Sequence, residues 1–195
     1  IFIVKLAEDE RDFRGGWIVA LGARAPSTAR VIHSLTGLIH TTAAFLAMGL
    51  GAIVLLRPKR GQPHRMLGYA FVLTMIVMLV TSFAMYSLIG SFNILHVAAI
   101  MSSVCLALGL KYAVTRRPQQ IWYELHYHWM CWSYVGLLAA FVAEASTRLA
   151  MPYLETRFEE FSYGIFWTIV GIASAAVMFA GGRWIGRHAP RNSNS

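Results

Sequence analysis

The stretch VIHSLTGLIHTTAAFLAMGLGAIVLL, from Val31 to Leu56, decides the fold of this chain. It contains no Asp, Glu, Lys or Arg, and its polar residues are confined to histidine, serine and threonine. About 20 predominantly apolar residues in a helix are enough to cross the hydrocarbon core of a membrane. The sequence therefore predicts that this stretch is a transmembrane helix.

Four further stretches of the same kind follow the first. The five predicted crossings run approximately over residues 31–56, 66–89, 94–114, 128–151 and 161–182. Prolines lie only between or beyond them, as expected of residues that end helices. The stretches are too long and too continuous for barrel strands, which alternate over about ten residues. We therefore predict an all-α, polytopic integral membrane bundle with at least five transmembrane helices.

Composition supports this class. Of the 195 residues, 57% are hydrophobic and 13% are charged, whereas soluble domains carry about 25% charged residues. The net charge of +8 is explained by basic loops at one face of a membrane and by attraction to anionic lipid. The predicted partner is the lipid bilayer, and nucleic acid is not expected.

The distribution of charge predicts an orientation. The basic residues of the short loops are Arg57, Lys59, Arg60, Arg65, Lys111, Arg116, Arg117, Arg183, Arg187 and Arg191. The positive-inside rule places these loops and the C-terminus in the cytoplasm. We predict an extracytoplasmic segment over residues 1–30, a transmembrane domain over 31–184 and a cytoplasmic polar tail over 185–195. The expected location is the bacterial inner membrane.

Six histidines are predicted to form two layers, one near each face of the membrane. Steps of 31, 32 and 32 residues lead from His33 to His64, His96 and His128. Each step is one crossing and a turn, so successive histidines should alternate between the faces. With the neighbouring positions added, the outer layer is His33, His40 and His96, and the inner layer is His64, His126 and His128. Histidine is costly inside a bilayer and usually marks function there.

Glu144 and Arg148 form a second polar pair, four residues apart in the fourth stretch. In an α-helix this spacing places both side chains on one face, where they can neutralise each other and hold helices together. Alternatively, Glu144 lies at a depth similar to that of His40 and serves as a metal ligand or proton acceptor. Arg148 would then face an anionic group, such as a cofactor carboxylate or a quinone oxygen.

Several motifs resemble a family of uncharacterised bacterial membrane proteins. They include the run from His40 to Gly51, His64-Arg-Met-Leu-Gly-Tyr69, His96-Val-Ala-Ala and His128-Trp-Met130 with Arg148. The resemblance covers roughly residues 33–150. It implies a helical membrane fold and draws attention to His40, His64, His96, His128 and Arg148, but it implies no activity.

In architecture, the chain also resembles the diheme transmembrane b-type cytochromes. That likeness implies one haem b near each face, ligated by histidines of alternate helices. The outer ligands would be His40, or His33, with His96. The inner ligands would be His64 with His128 or His126.

Three hypotheses from different classes follow. The first is a haem-binding subunit that transfers electrons across the membrane to a quinone or another redox partner. The second is a non-haem zinc or copper site, built from three imidazoles or from two imidazoles and Glu144. The third is an accessory subunit of a larger membrane complex whose histidines only hydrogen-bond between helices. The sequence does not decide whether the protein is an enzyme.

Overall fold

The computed structural model describes residues 27–89, 94–158 and 162–190, with the side chains of residues 27–34, 85–89, 94–95, 148–149, 151–152, 155 and 163 outside the description. The chain divides into two units, residues 1–35 and 36–195. Of the first unit only the helical residues 27–35 are described. The predicted N-terminal segment over residues 1–30 therefore lies almost wholly outside the described residues. The packing reported below belongs to the second unit.

The elements of the described ranges are helical. They are α1 Ser27–Leu56, α2 Gly61–Ile89, α3 Ile94–Thr115, α4 Trp122–Ala145, α5 Met151–Arg157 and α6 Tyr163–His188. A π-helical turn, Ser146–Ala150, joins α4 to α5. The all-α class is confirmed. Helix α6 passes the predicted boundary at residue 184 and ends inside the predicted polar tail.

Local chemistry explains where these helices begin and end. Arg116 follows the end of α3 with a φ of 50°, and Gly61 opens α2 with a φ of 73°. Left-handed backbone of this kind ends a helix or turns the chain, and glycine adopts it without steric cost. At the start of α6, the hydroxyl oxygen of Ser162 accepts a hydrogen bond from the amide of Ile165 at 3.5 Å, which is the usual role of an N-cap serine.

Four helices of the described chain are long and apolar enough to cross a membrane. The segments are Leu35–Leu56, Gly61–Ala84, His96–Thr115 and Gly164–His188. The predicted count of at least five is not reached by this measure. The predicted crossing that does not meet it is α4, which is long enough but carries Glu124, His126, His128 and Glu144 within 24 residues.

Helix α4 tolerates this polarity because it lies inside the bundle. Cys131, Ser133, Val135 and Leu137 are all buried, and residues two positions apart point about 200° apart around an α-helix. Opposite faces of α4 are therefore covered. Its main neighbours are α3 and α6. A helix enclosed by other helices does not need a lipid-compatible surface, so apolar length alone is a poor guide to its position.

The other long helices present apolar side chains outward. Large exposed side chains include Leu38 and Phe45 of α1, Leu73 of α2, Met101 of α3 and Phe179 of α6. A water-soluble surface rarely carries so much contiguous apolar area. Facing inward, α1 to α4 share a core of buried residues: Ala43, Ala47, Phe71, Val72, Met75, Met78, Leu79, Ala99, Leu106 and Leu137. The fold is a helical membrane bundle.

Candidate functional site

His40 is a buried histidine of α1 whose ring is held by α2. Its side chain lies next to the shared core, and only 6% of the residue is exposed. The Nδ1 atom lies 3.1 Å from the carbonyl oxygen of Met78 and 3.1 Å from Oγ1 of Thr81. A carbonyl oxygen can only accept, so Nδ1 carries a proton and donates it. In the neutral ring, Nε2 is then the atom with the free lone pair.

The Thr81 side chain is positioned by hydrogen bonds within its own helix. Its Oγ1 donates to the carbonyl oxygens of Val77 and Met78, at 2.8 and 2.9 Å. The hydroxyl proton is therefore used within α2, and the oxygen's lone pairs remain available to His40. A helical threonine commonly bonds backward in this way. Together the Met78 carbonyl and the Thr81 hydroxyl fix the orientation of the imidazole.

Glu144 of α4 lies on the other side of the same ring. Its Oε2 is 3.4 Å from Nε2 of His40, and 28% of the Glu144 side chain is exposed. A neutral Nε2 and an ionised carboxylate both present lone pairs, so they repel each other unless something positive lies between them. A proton makes the pair a hydrogen bond, and a metal ion makes it two ligands. The arrangement can therefore hold a cation in the interior of the bundle.

His96 of α3 lies at the same end of the bundle as His40. It is buried, with 6% exposed, and it stands one turn before Ala99. Ala99 shares the core with Ala43, which stands one turn after His40. We define the His40 end as the part of the bundle that contains His40, His96 and Glu144. The side chains of His33 and Arg148 lie outside the described residues, so their predicted roles at this end stay predictions.

The π-helical turn changes the geometry expected for Glu144 and Arg148. The α-helix ends at Ala145, directly after Glu144, and Arg148 falls within Ser146–Ala150. The four residues that separate Glu144 from Arg148 thus pass from α-helix into π-helix. The predicted pairing of the two side chains stays a prediction. Within the turn, Thr147 Oγ1 donates to the Glu144 carbonyl at 2.9 Å. Single π-helical turns are frequent at functional sites, and this one follows the carboxylate that faces His40.

The remaining histidines lie at the opposite end. We call it the basic end, and it comprises the last turns of α1, α3 and α6 and the first turns of α2 and α4. Nδ1 of His126 donates to the Gly109 carbonyl of α3 at 2.8 Å, whereas Nδ1 of His128 donates to the Glu124 carbonyl of its own helix at 2.9 Å. His64 of α2 is close enough to His126 to interact with it electrostatically. The described histidines of the two predicted layers thus lie at opposite ends of the bundle.

The described residues do not bring three metal-ligating side chains together. No group of three or more His, Cys, Asp or Glu residues capable of holding an ion occurs in this part of the chain. His40 and Glu144 form a pair, and His64 and His126 are neighbours. His128 faces its own helix backbone, and the exposed His188 stacks on the Trp184 ring at a centroid distance of 4.6 Å. The predicted ligand sets are therefore present only as pairs.

Comparison with known proteins places the fold in a family. Residues 37–179 match the family described as "Predicted membrane protein (DUF2306)". The chain belongs to this family. Searches of the curated proteins and of the solved structures gave no significant match. The predicted resemblance to a family of uncharacterised membrane proteins is confirmed, and the match extends beyond residue 150. The likeness to b-type cytochromes stays a prediction.

The DUF2306 region contains most of the predicted site residues. Both members of the His40–Glu144 pair lie within it, as do His64, His96, His126, His128 and Arg148. His33 precedes it and the exposed His188 follows it. The family is described as a membrane protein without an activity, so the match supports the membrane fold and leaves the chemistry to the residues.

Two features of this DUF2306 chain were missed by sequence reasoning. One is the acceptor pair of Met78 and Thr81, because a backbone carbonyl carries no sequence signal and threonine is common in membrane helices. The other is Lys59, whose Nζ lies 5.6 Å from the centroid of the Tyr127 ring. It was counted only as one of several loop cations. Of these residues only Thr81 could have been found from the sequence, because it is a polar residue one turn after Met78 in a mostly apolar helix.

Proposed function

We propose that this protein is a membrane metalloprotein that holds a zinc or copper ion at the His40 end. The observation that carries the proposal is the pairing of His40 Nε2 with Glu144 Oε2 at 3.4 Å, in the interior of a helical bundle. Imidazole nitrogen suits both ions, and carboxylate oxygen is a common second donor to zinc. If the ion is copper, the site also supplies the electron transfer expected from the sequence.

The distance between the two donor atoms is compatible with a shared ion as well as with a hydrogen bond. Hydrogen bonds from ring nitrogens to oxygen usually measure about 2.7–3.2 Å, and the 3.4 Å contact is at the long end of the hydrogen bonds in this chain. Two donors that each lie 2.0–2.2 Å from one tetrahedral ion are separated by about 3.3–3.5 Å. The pair is therefore spaced as two ligands of a common ion would be.

The surroundings of His40 also suit a metal ligand. Metal-binding histidines almost always donate their other ring N–H to a carbonyl or a carboxylate, which fixes the tautomer and raises the basicity of the ligating nitrogen. Nδ1 of His40 donates to the Met78 carbonyl at 3.1 Å. His96 is the candidate for a third donor, because it is buried at the same end of the bundle. Rotation of its side chain would be required, and water would complete the coordination.

Haem b is the second candidate, and a different observation favours it. Buried or half-buried histidines lie at both ends of the bundle and come from alternate helices, His40 and His96 from α1 and α3, and His64 and His126 from α2 and α4. This alternation is the arrangement implied by the b-type cytochromes. At the His40 end the donor set fits a porphyrin less well than a bare ion, because the Glu144 carboxylate occupies the space in front of Nε2. When bound, haem would supply one-electron transfer.

Metal content and a visible spectrum of the purified protein test the proposal. We expect zinc or copper at about one ion per chain, without a Soret band, in protein extracted in mild detergent. A Soret band with iron would instead select the haem candidate. Protein that binds neither, even after incubation with zinc and copper salts, would overturn both candidates and favour an accessory structural subunit.

The proposal includes an orientation. The basic residues of the loops cluster at the basic end, so the positive-inside rule places that end in the cytoplasm of a bacterial cell and the His40 end toward the outside of the inner membrane. Alkaline phosphatase fused after residue 195 should be inactive in a bacterial host, and green fluorescent protein at the same position should fluoresce. The opposite pair of results would reverse the assignment.

A further inference from the structure

The basic end carries a cluster of cations that is independent of the proposed metal site. Nine basic residues of the described chain lie there: Arg57, Lys59, Arg60, Arg65, Lys111, Arg116, Arg117, Arg183 and Arg187. The acidic side chain described at this end is Glu124. Most of these cations are exposed, but Lys59 is half-buried. A half-buried ammonium needs compensation, because removing charge from water is costly.

Lys59 finds only part of that compensation within the protein. Its Nζ donates one hydrogen bond to the Leu55 carbonyl at 3.3 Å and lies over the Tyr127 ring at 5.6 Å from the centroid. In the described part of the chain, no carboxylate lies within ion-pair distance of it. An ammonium has three donors, so two remain for another acceptor. His64 lies close enough to Lys59 to interact with it electrostatically.

Tyr127 provides a second, independent observation. Only 4% of this residue is exposed, and its hydroxyl has no hydrogen-bond partner. The neighbouring polar group is the Cys131 thiol, and sulfur is only a weak hydrogen-bond acceptor. A buried hydroxyl without a partner is unusual in a native protein and calls for an explanation. A bound ligand with oxygen acceptors would provide one.

We infer that Lys59, His64, His126 and Tyr127 form a binding site for a phosphate group, supplied by the headgroup of an anionic phospholipid. Phosphate oxygens would accept hydrogen bonds from Lys59, from the ring N–H of His64 and from the Tyr127 hydroxyl. His126 would line the site, because its Nδ1–H already donates to the Gly109 carbonyl. The site lies where helix ends meet, since Leu55, Tyr127 and Ile185 share one buried cluster. Basic pockets between membrane helices on the cytoplasmic side bind such headgroups. The adjacent Lys59 also disfavours a bare metal ion at His64.

Lipid retention by the intact protein tests this site. The protein is placed in phosphatidylcholine nanodiscs with a minor fraction of phosphatidylglycerol, and retained phosphatidylglycerol is counted by native mass spectrometry. We expect selective retention by the wild type and a weakening of about 5- to 10-fold in Lys59→Gln. Tyr127→Phe should weaken retention by a smaller factor without loss of fold. Arg60→Gln is the matched control, because it removes an exposed charge from the same loop.

Equal weakening in Lys59→Gln and Arg60→Gln would overturn the inference, since it would mean diffuse attraction to a basic surface. Absence of any preference for phosphatidylglycerol over phosphatidylcholine would overturn it as well. Inorganic phosphate is the second probe. Competition by millimolar phosphate that depends on Lys59 would support the phosphate site while identifying free phosphate as its source. None of these results depends on the metal at the His40 end.

Discussion

Replacing Glu144 by Gln is expected to release the metal while the bundle stays folded. The substitution keeps the size of the side chain but removes the charge that faces His40 Nε2 at 3.4 Å. Changes to groups that merely support a ligand typically cost 10- to 100-fold in metal affinity. Loss of a ligand should cost more, so we expect affinity to fall by more than about 100-fold. Elemental analysis after dialysis against a weak chelator measures the loss.

Two further variants grade this effect. Thr81→Val removes one acceptor from Nδ1 of His40 but keeps the Met78 carbonyl, so we expect a decrease in affinity of about 10-fold. His188→Ala is the matched control, because His188 is exposed at the opposite end, and it should leave metal content unchanged. Full metal content in Glu144→Gln would mean that the Glu144 carboxylate is not a ligand of the ion. Equal loss in all three variants would point to instability and not to ligation.

Gly51→Ala is expected to destabilise the bundle strongly, whereas Gly49→Ala in the same helix should not. A methyl group at Gly51 would collide with the ring of Tyr134 and come within 3.0 Å of the Phe71 ring. Tyr134 is pinned by a 3.1 Å hydrogen bond from its hydroxyl to the Met48 carbonyl, so it cannot swing aside cheaply. Overpacking of this kind typically costs about 1–3 kcal/mol.

The control variant Gly49→Ala separates the effect of packing on stability from the effect of helix propensity. Gly49 is exposed and has open space where a methyl group would lie. Alanine is favoured over glycine within a helix by about 0.5–1 kcal/mol, and this gain applies to both positions. Thermal unfolding in detergent should therefore show a lower Tm for Gly51→Ala and an unchanged or higher Tm for Gly49→Ala. Similar Tm values for the two variants would mean that α1 does not pack against Tyr134 as described.

The membrane class could be predicted from the sequence, but the position of α4 inside the bundle could not. Long stretches without charge, such as the run from Val31 to Leu56, identify lipid-exposed helices directly. Helix α4 cannot be recognised in this way, because other helices cover it on opposite faces, where Cys131 and Ser133 are both buried. Enclosure depends on how the helices assemble, and hydropathy along one segment carries no information about it.

The contact between His40 and Glu144 could partly be anticipated from the sequence, because their predicted depths in the membrane are similar. They lie 104 positions apart, so depth alone could not show that the two side chains face each other. The small residues of α1 show the same limit. Small residues on a membrane helix allow either close packing or room for a flat cofactor, and at Gly51 the ring of Tyr134 fills the space. Which side chain occupies a gap is decided by the neighbouring helix.

The pairing of α2 with His40 could not have been predicted from residue type. One of its two acceptors is the backbone carbonyl of Met78, an atom that every residue type carries. The π-helical turn after Glu144 was equally hidden, since the sequence Ser-Thr-Arg-Leu-Ala contains no helix-breaking residue. Such features arise from packing and from local hydrogen bonding.

Metal content of the wild-type protein beside a His40→Ala/Glu144→Gln double variant tests the central claim most directly. Both proteins are purified in the same detergent, loaded with zinc or copper, dialysed and analysed for bound ions. The account predicts about one ion per chain in the wild type and almost none in the double variant. Equal metal content in the two proteins, whether high or absent, would contradict a site built on His40 and Glu144.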